Sequence, residues 1–197
     1  MQLETPRLII RDFALTDAAF ILQLVNEPAF HINIGDKGVR TLDDARAYIQ
    51  NAGLDSYEKL GFGMYLVVLK DAGTLAGRSS EPIGSTLSPH TNQGTPIGMC
   101  GLLKRDFLQH PDVGFAYASA YWNKGYGTEA AKAVMHWATT VLGYSTLSAF
   151  TTTTNGASIQ LLKKSGFTSL GEQIFPGRDA KSHVLIWNAS SEPYSGI

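Results

Sequence analysis

The sequence lacks most of the features that mark secreted, metal-dependent or membrane-spanning proteins. Its 197 residues contain one cysteine, Cys100, which excludes an intrachain disulfide. No Cys/His group has zinc-site spacing, and no apolar run reaches the roughly 18 residues that a membrane span needs. Glu4, Arg7, Arg11 and Asp12 interrupt the N-terminal segment, so it does not resemble a signal peptide. These absences predict a soluble, cytoplasmic protein in a reducing compartment, with no metal site.

The sequence also has no excess of charge of either sign. It has 16 basic and 17 acidic residues and a formal charge of -1, which argues against nucleic acid or an anionic membrane as the main partner. The hydrophobic content of 44% is sufficient for one sizeable core. We therefore expect a single domain over residues 1–189, with a loop insertion around 71–95 that is rich in Gly, Ser, Thr and Pro, and a flexible tail at 190–197.

Hydrophobic spacing predicts an alternation of strands and helices in one mixed sheet flanked by about four helices. The strongest helix pattern covers 125–142, where small and apolar residues recur every three to four positions and Gly143 follows. Thr16 or Asp17 can cap a first helix, and Thr41 a second that ends near Asn51. The remaining predictions are a helix at 155–165 and strands at 7–13, 62–70, 96–106, 111–119, 145–151, 167–175 and 181–188.

A glycine-containing turn precedes the long helix. Residues Asn123 to Thr128 follow a predicted strand, so unpaired N-H groups at the positive end of the helix dipole can bind an anion there. Gly125 and Gly127 remove side chains where a phosphate would approach the backbone, and Thr128 adds a hydroxyl donor. A tight turn that needs glycine only for its dihedral angles explains the same residues equally well.

A second segment, about thirty residues further on, places Asn155 at a strand-to-helix junction. Ser158 follows three residues later, on the same face of the predicted helix. Taken alone, Asn155 is better explained as a helix N-cap than as a ligand contact.

Together, the segments NKGYGTEA (123–130) and NGASIQLLKKSGF (155–167) and the order of elements resemble the GNAT superfamily of N-acetyltransferases. The pyrophosphate signature of that superfamily is matched at both small positions, Gly125 and Gly127, although Trp122 or Asn123 stands where Arg or Gln is usual. The segments LETPRLIIRDF, PIGMCGLLKRD and PDVGFAYASAYWNKGYGTEA are similar to the RimJ/RimL-like branch. The resemblance covers nearly the whole chain apart from 71–95 and the tail.

The resemblance implies an α/β (α+β) GNAT fold, with a largely antiparallel sheet of six to seven strands that splays into a V. In that fold acetyl-CoA lies in the V and leaves as CoA. By similarity, the backbone of Phe115, Ala116 and Tyr117 would bind the pantetheine and supply an N-H donor to the oxyanion. A bulge at Gly114 would open the strands. The implied cofactor contacts also include Trp122, Asn123, Lys124, Gly125, Tyr126, Gly127, Thr128, Asn155 and Ser158.

The catalytic groups are less well defined. Many GNAT enzymes have a tyrosine seven residues after the asparagine to protonate the departing thiolate, but Leu162 stands there in this sequence. Ser158, a water molecule or direct thiolate release could replace it. The candidate general bases are Glu27, His31, Asp112 and Tyr117, and the sequence does not select one of them.

Other reactive residues have simpler explanations. Cys100 lies in an apolar strand with no histidine near it in the sequence, which favours an inert core thiol over an acyl-cysteine nucleophile. Trp122 and Tyr121 either line the acceptor pocket or pack against the helix. The remaining histidines have no metal spacing and no matching nucleophile: they are His110, His136 and His183.

The predicted function is acetyl transfer to a primary amine on a small molecule or a peptide. A non-catalytic acyl-CoA sensor on the same fold is the main alternative, since the usual tyrosine is absent. An interaction protein without a cofactor would not need the intact NKGYGTEA turn. The acceptor itself is not readable from the sequence, and an exposed strand or the 71–95 loop leaves both a monomer and a homodimer open.

Overall fold

The protein is described from a computed structural model that covers residues 1–71, 94–176 and 179–189. Eight strands form one sheet in the order β1-β2-β3-β4-β5-β6-β8-β7, and neighbours are antiparallel except for the parallel pair β5 and β6. The strands are β1 (Gln2–Glu4), β2 (Leu8–Arg11), β3 (Met64–Lys70), β4 (Gly94–Leu103), β5 (Asp112–Tyr117), β6 (Thr146–Thr152), β7 (Thr168–Gln173) and β8 (Ser182–Asn188).

Helices cover both faces of the sheet. They are α1 (Ala18–Val25), α2 (Pro28–Asn33), α3 (Leu42–Ile49), α4 (Asp55–Leu60), α5 (Tyr126–Thr140) and α6 (Gly156–Lys164). A π-helical turn, Gln50–Leu54, joins α3 to α4. Thr41 caps α3 as expected. Its side chain accepts the Asp44 N-H, and the Asp44 carboxylate accepts the Thr41 N-H.

Helix α5 crosses the centre of the sheet and positions the site. Its buried residues recur at helical spacing, and all but Trp137 belong to the predicted stripe: Ala130, Ala131, Val134, Met135, Trp137 and Ala138. Val141, predicted as part of the same stripe, is 67% exposed. Beyond its end, Gly143 takes a left-handed conformation with φ 77°, which glycine adopts without steric cost. The predicted helix at 125–142 is therefore confirmed to within two residues at its C-terminus.

Strands β5 and β6 separate from each other along their length. They pair only at Asp112 and Ser148, where the Ser148 N-H also donates to the carbonyl of Pro111 at 2.8 Å. Beyond this point no ladder joins the two strands, so the described sheet opens toward the C-terminal ends of β5 and β6. The V-shaped splay that the resemblance implied is confirmed.

The sheet separates two hydrophobic clusters, and the opening of the V connects their two sides. On one face, α5 and α6 pack on residues such as Val113, Leu147 and Leu185. On the other face, α1, α2 and α3 pack on Leu66, Met99 and Ala116. Side chains alternate between the two faces along a strand, so neighbouring side chains of β5 pack in different hydrophobic clusters.

Four local features differ from the predictions. The sheet has eight strands rather than six to seven, because β1 pairs with β2 at the edge through a short polar segment. Helices α2 and α4 were missed, and the second predicted helix continues past Asn51 through the π-helical turn. No bulge occurs at Gly114, whose strand pairs in continuous register with β4; register shifts lie instead between Val67 and Val68 and between Ser169 and Gly171.

The predicted insertion and tail lie mostly outside the described residues. Residues 72–93 and 190–197 are not described, while 94–95 begin β4 rather than ending the loop. Among the residues that the structure describes, no helix is long and apolar enough to cross a membrane. The same part of the chain contains no cluster of three His, Cys, Asp or Glu side chains that could hold a metal ion.

Candidate active site

The predicted anion-binding turn has the required backbone geometry. Asn123 and Gly125 are both left-handed, with φ of 60° and 81°, and Gly125 is the N-cap of α5. The first helical hydrogen bond runs from the Glu129 N-H to the Gly125 carbonyl at 3.1 Å. The N-H groups of Tyr126, Gly127 and Thr128 therefore precede the helical ladder and point toward the open end of the helix.

The two glycines are explained by the protein's own packing. Gly125 has a positive φ, a conformation that glycine adopts without steric cost. A Cβ on Gly127 would lie 2.5 Å from Cδ1 of Leu161 and 3.2 Å from Cε2 of Tyr117. Gly127 thus allows α5 to approach α6 and β5 closely. The glycines are therefore not in themselves evidence of an anion site, and the groups that could bind an anion are the N-H groups of the turn.

A charged cluster that the sequence did not reveal braces the turn from the opposite side. The Glu129 carboxylate is only 10% exposed and accepts from the Thr5 hydroxyl at 2.6 Å, the Arg7 N-H at 3.0 Å and Nε of Arg7 at 2.7 Å. The Arg7 guanidinium also donates to the Lys124 carbonyl at 2.9 Å and lies 4.6 Å from the ring centre of Tyr126. The cluster ties β2 and the segment before it to the turn.

Strand β5 presents unpaired backbone groups to the opening of the V. The Ala118 N-H donates to the Ile97 carbonyl on β4, and Pro111 faces β6. By strand alternation, Phe115 and Tyr117 direct their N-H and C=O groups toward β6, whereas Ala116 directs its own toward β4. Phe115 through its N-H and carbonyl, and Tyr117 through its N-H, can therefore bind an extended ligand, whereas the Tyr117 carbonyl already accepts a side-chain hydrogen bond.

Trp122 helps to fix the end of β5. Its side chain is 41% exposed, and its indole N-H donates to the Tyr117 carbonyl at 2.7 Å. Lys124 has its ammonium group 5.4 Å from the ring centre of Tyr121 and does not line the cavity described below. Of the two aromatic residues beside the turn, Tyr121 and Trp122, it is thus Trp122 that hydrogen-bonds to β5, the strand that would bind a ligand.

The second predicted segment also lies at this opening. The Asn155 side chain caps α6 by accepting the Ser158 N-H at 3.1 Å, which leaves its amide NH2 group as a donor. At the end of β6, the buried hydroxyl of Thr152 has no hydrogen-bond partner. An orphaned hydroxyl is costly in a folded protein, and a ligand that supplies its partner would remove that cost.

One cavity of about 1030 Å³ joins these groups. On the α5 and α6 side it is lined by Asn123, Gly125, Tyr126, Gly127, Thr128, Asn155, Ser158 and Trp122. On the side of α1, α2 and α3 it is lined by Leu24, Glu27, Phe30, His31, Tyr48 and Met99. Phe115, Ala116, Tyr117 and Thr152 lie between the two sides. The cavity thus passes through the sheet between β5 and β6.

The structure reduces the four candidate bases to two. The carboxylate of Asp112 is ion-paired with Nε of Arg105 at 2.7 Å. The Tyr117 hydroxyl is buried beside the Cys100 thiol, and desolvation raises its pKa well above the usual value. Glu27 lines the cavity and accepts the Ser119 N-H at 3.0 Å. His31 also lines it, with Nε2 buried and lacking a hydrogen-bond partner.

The alternative reactive groups are explained by packing. Burial raises the pKa of the Cys100 thiol to about 12, so the thiolate needed for acyl transfer is strongly disfavoured. Leu162 is fully buried in the core. Of the three remaining histidines, none lines the cavity.

The comparison with protein families matches the same segments. Residues 7–168 match the model described as the acetyltransferase (GNAT) domain. The chain belongs to the GNAT acetyltransferase family. It is therefore an acyltransferase by family, and GNAT enzymes use acetyl-CoA as the acyl donor.

Individual GNAT relatives are distant in sequence but similar in fold. The uncharacterized N-acetyltransferase YnaD of Bacillus subtilis (strain 168) is 24% identical over 172 residues, covering 87% of this chain and 85% of the relative. An acetyltransferase structure from Agrobacterium tumefaciens str. C58 has a TM-score of 0.72 at 20% identity, covering 96% and 95% of the two chains. RimL, a ribosomal L7/L12 alpha-N-protein acetyltransferase in complex with coenzyme A, has a TM-score of 0.74 at 14% identity, covering 98% and 100%.

The GNAT cofactor fits the groups that are present. The open turn offers N-H donors for a pyrophosphate, and the unpaired edge of β5 offers backbone partners for an arm that contains amide groups. The orphaned Thr152 hydroxyl lies on the opposite wall. This threonine was missed because it stands in a run of four, Thr151 to Thr154, where only strand register distinguishes one from another.

Replacing Thr152 with valine should weaken acetyl-CoA binding without lowering stability. If the hydroxyl finds its partner on the cofactor, the dissociation constant should rise about three- to tenfold. The melting temperature of the free protein should stay the same or rise, because an unsatisfied group is removed. Calorimetric titration and thermal denaturation measure the two effects.

Thr146→Val is the matched control. Thr146 lies at the far end of β6, and its hydroxyl donates to Oδ1 of Asn188 at 3.0 Å. It should not alter the affinity for acetyl-CoA. Equal affinity of the wild type and the Thr152→Val variant would show that the hydroxyl does not contact the cofactor.

Proposed function

We propose that the protein is an acetyl-CoA-dependent N-acetyltransferase that transfers the acetyl group to a primary amine of a small molecule, an amino acid or a protein N-terminus. The amine attacks the thioester directly in a ternary complex. The observation that carries this proposal is the cavity between the diverging strands β5 and β6, with the turn at 123–128 on one side and Glu27 and His31 on the other. The domain spans 1–189, and we expect it to act in the cytoplasm.

On the cofactor side, the N-H groups at the start of α5 bind the pyrophosphate, and Asn155 donates its free amide to the pantetheine arm. The Phe115 and Tyr117 backbones hold the same arm by strand-like pairing. One of their N-H groups then stabilises the charge that develops on the acetyl oxygen, a contribution of about 3 kcal/mol where the geometry is right.

On the acceptor side, Glu27 and His31 are the candidate groups for removing a proton from the amine, directly or through a water molecule. Ser158 is the candidate donor to the departing sulfur, since Leu162 offers no acid. The open cavity suits both small-molecule and peptide acceptors. The RimL relative is named for a protein N-terminal substrate.

The test is release of free CoA thiol from acetyl-CoA in the presence of a panel of amines and peptides. An acetyltransferase releases thiol only when an acceptor is added, in proportion to the acetylated product. A sensor would bind acetyl-CoA and release none with any acceptor, and that result would overturn the proposal.

Steady-state kinetics test direct transfer. A ternary complex gives intersecting lines when both substrates are varied, and Cys100→Ala should keep that pattern and most of the turnover. Parallel lines together with loss of turnover in Cys100→Ala would instead indicate an acyl-cysteine route.

A further inference from the structure

Arg105 lines a part of the cavity that contains none of the residues proposed to bind the cofactor. It follows β4, is 31% exposed and lines the cavity together with Tyr48 and Phe150. Its Nε donates to Asp112, whose carboxylate is 3% exposed and lies where β5 meets β6. The buried carboxylate anchors the side chain, and the guanidinium lies 4.9 Å from the ring centre of Phe150.

This arrangement holds the guanidinium in place while leaving donors for a ligand. A guanidinium has five N-H donors, and the contact with Asp112 uses only the one on Nε. Within the described residues the two terminal nitrogens donate no hydrogen bond. The Asp112 carboxylate holds one edge of the planar guanidinium, and the Phe150 ring lies against it. Such a group is well suited to bind a second carboxylate through two parallel hydrogen bonds.

Tyr48 supplies a further donor nearby. Tyr48 lines the same cavity, and among the described residues the hydrogen bond of its hydroxyl is a weak one to Sδ of Met99 at 3.8 Å. Burial raises the pKa of Tyr48 to about 12, although the nearby charge of Arg105 opposes this shift. The hydroxyl is therefore protonated at neutral pH and can donate to an anion that bridges Tyr48 and Arg105.

The position of Arg105 limits where such an anion lies on the acceptor. Asp112 precedes Phe115 by three residues, so the anchored end of Arg105 lies about 10 Å along β5 from the backbone proposed to hold the thioester. The guanidinium lies against Phe150, two residues beyond the Ser148 that pairs with Asp112, so the arginine side chain extends over part of this distance. A bound carboxylate would then be only a few bonds from the attacking amine.

We propose that Arg105 and Tyr48 bind a carboxylate of the acceptor, and that the acceptors are amines with a carboxylate a few bonds from the nitrogen. This inference rests on the proposed acetyltransferase function. It makes Arg105 a specificity-determining residue. Free amino acids and peptides with an acidic residue near the N-terminus both carry such a carboxylate. Pairs of acceptors that differ only in the carboxylate distinguish these two classes.

The experiment compares acceptors that differ only in the carboxylate. One pair is β-alanine and β-alaninamide; the other is a tripeptide amide with aspartate at its second position and the same peptide with asparagine. In at least one pair, kcat/KM for the carboxylate member should be about ten- to a hundredfold higher. A preference in the first pair alone identifies amino acids as the acceptors, and one in the second alone identifies peptides.

The variant for this test replaces both partners, because Arg105→Gln alone would remove the ion pair between Arg105 and the buried Asp112 carboxylate and could fail to fold. In Arg105→Gln/Asp112→Asn the kcat/KM ratio should fall to about one, while the dissociation constant of acetyl-CoA stays within about twofold. A ratio near one in both pairs for the wild type, or an unchanged ratio in the double variant, would overturn the inference.

A binding readout separates failure of this inference from failure of the proposed function. Each amine pair is titrated into the CoA-bound protein and followed by backbone amide NMR. Tighter binding of the carboxylate member, lost in the double variant, supports the carboxylate site even if no amine is acetylated. Equal binding of both members rejects the site whether or not turnover is seen.

Discussion

A Thr128→Glu variant is expected to bind acetyl-CoA at least about a hundredfold more weakly than the wild type. Thr128 lies in the first turn of α5 and lines the cavity. A carboxylate there would lie beside the bound pyrophosphate, and two like charges 4–5 Å apart near a protein surface repel by about 3 kcal/mol. Since 1.4 kcal/mol corresponds to a factor of ten, a loss of this size follows.

The same substitution should not destabilise the free protein. Negative charge is favourable at a helix N-terminus, by about 0.3–1 kcal/mol, so the melting temperature should be unchanged or higher. Thr128→Gln is the matched control, since it adds equal length without charge and should lose less than tenfold in affinity. Similar losses in both variants would mean that bulk, and not charge at an anion site, causes the effect.

Thr128 is a better site for this test than the glycines. A side chain on Gly127 would collide with Leu161, and a side chain on Gly125 would be strained by the positive φ. Loss of binding in a glycine variant would therefore mix damage to the fold with loss of the ligand contact.

Glu129→Gln should lower the free energy of unfolding by about 2–3 kcal/mol at neutral pH, because the glutamine cannot accept all the donors from Thr5 and Arg7 and leaves the arginine without its counter-ion. The affinity for acetyl-CoA should also fall, by about tenfold, because Arg7 then no longer holds the Lys124 carbonyl firmly. Chemical denaturation and calorimetric titration measure the two effects.

The stability difference between the wild type and Glu129→Gln should depend on pH. Desolvation raises the pKa of Glu129, but hydrogen bonds from Thr5 and Arg7 together with the charge of Arg7 outweigh it, so the folded-state pKa lies below the ordinary 4.5. The stabilisation is then complete above about pH 4.5 and is lost as the pH falls through the lower folded-state pKa. The two proteins should become similar in stability in strong acid.

Glu172→Gln provides the control for this variant. Glu172 forms an exposed pair with Lys181 at 3.5 Å, and exposed pairs contribute little to stability. Its substitution should change the free energy of unfolding by less than about 0.5 kcal/mol. If Glu129→Gln behaves in the same way, the buried cluster does not brace the turn.

The sequence predicted best where a segment's own pattern decides its structure. The stripe in α5, the alternating strand β5 and the left-handed Gly143 each follow from local spacing and were found close to the predicted positions. Helix α4 was missed because its stability depends on contacts outside the helix. Tyr57 of α4 stacks on Tyr65 with ring centres 5.0 Å apart, and its hydroxyl accepts the N-H of Phe13 at 3.2 Å, contacts that the pattern within the helix does not reveal.

The candidate site was predicted in its segments but not in all its atoms. The turn at 123–128, apart from Lys124, and the junction at Asn155 line one cavity. Which backbone groups of β5 face the opening depends on register with β4, and this separates Phe115 and Tyr117 from Ala116. Arg7 is 122 positions from Glu129, so nothing in either local segment indicates their contact.

The most direct test of the account is amide hydrogen exchange in β5, measured by NMR with and without acetyl-CoA. Ala116 serves as the internal reference, since its N-H already faces β4. If the cofactor pairs with β5 in the opening of the V, exchange at Phe115 and Tyr117 should slow at least about tenfold more than at Ala116. Equal slowing at all three amides, or none at Phe115 and Tyr117, would contradict a cofactor bound between β5 and β6.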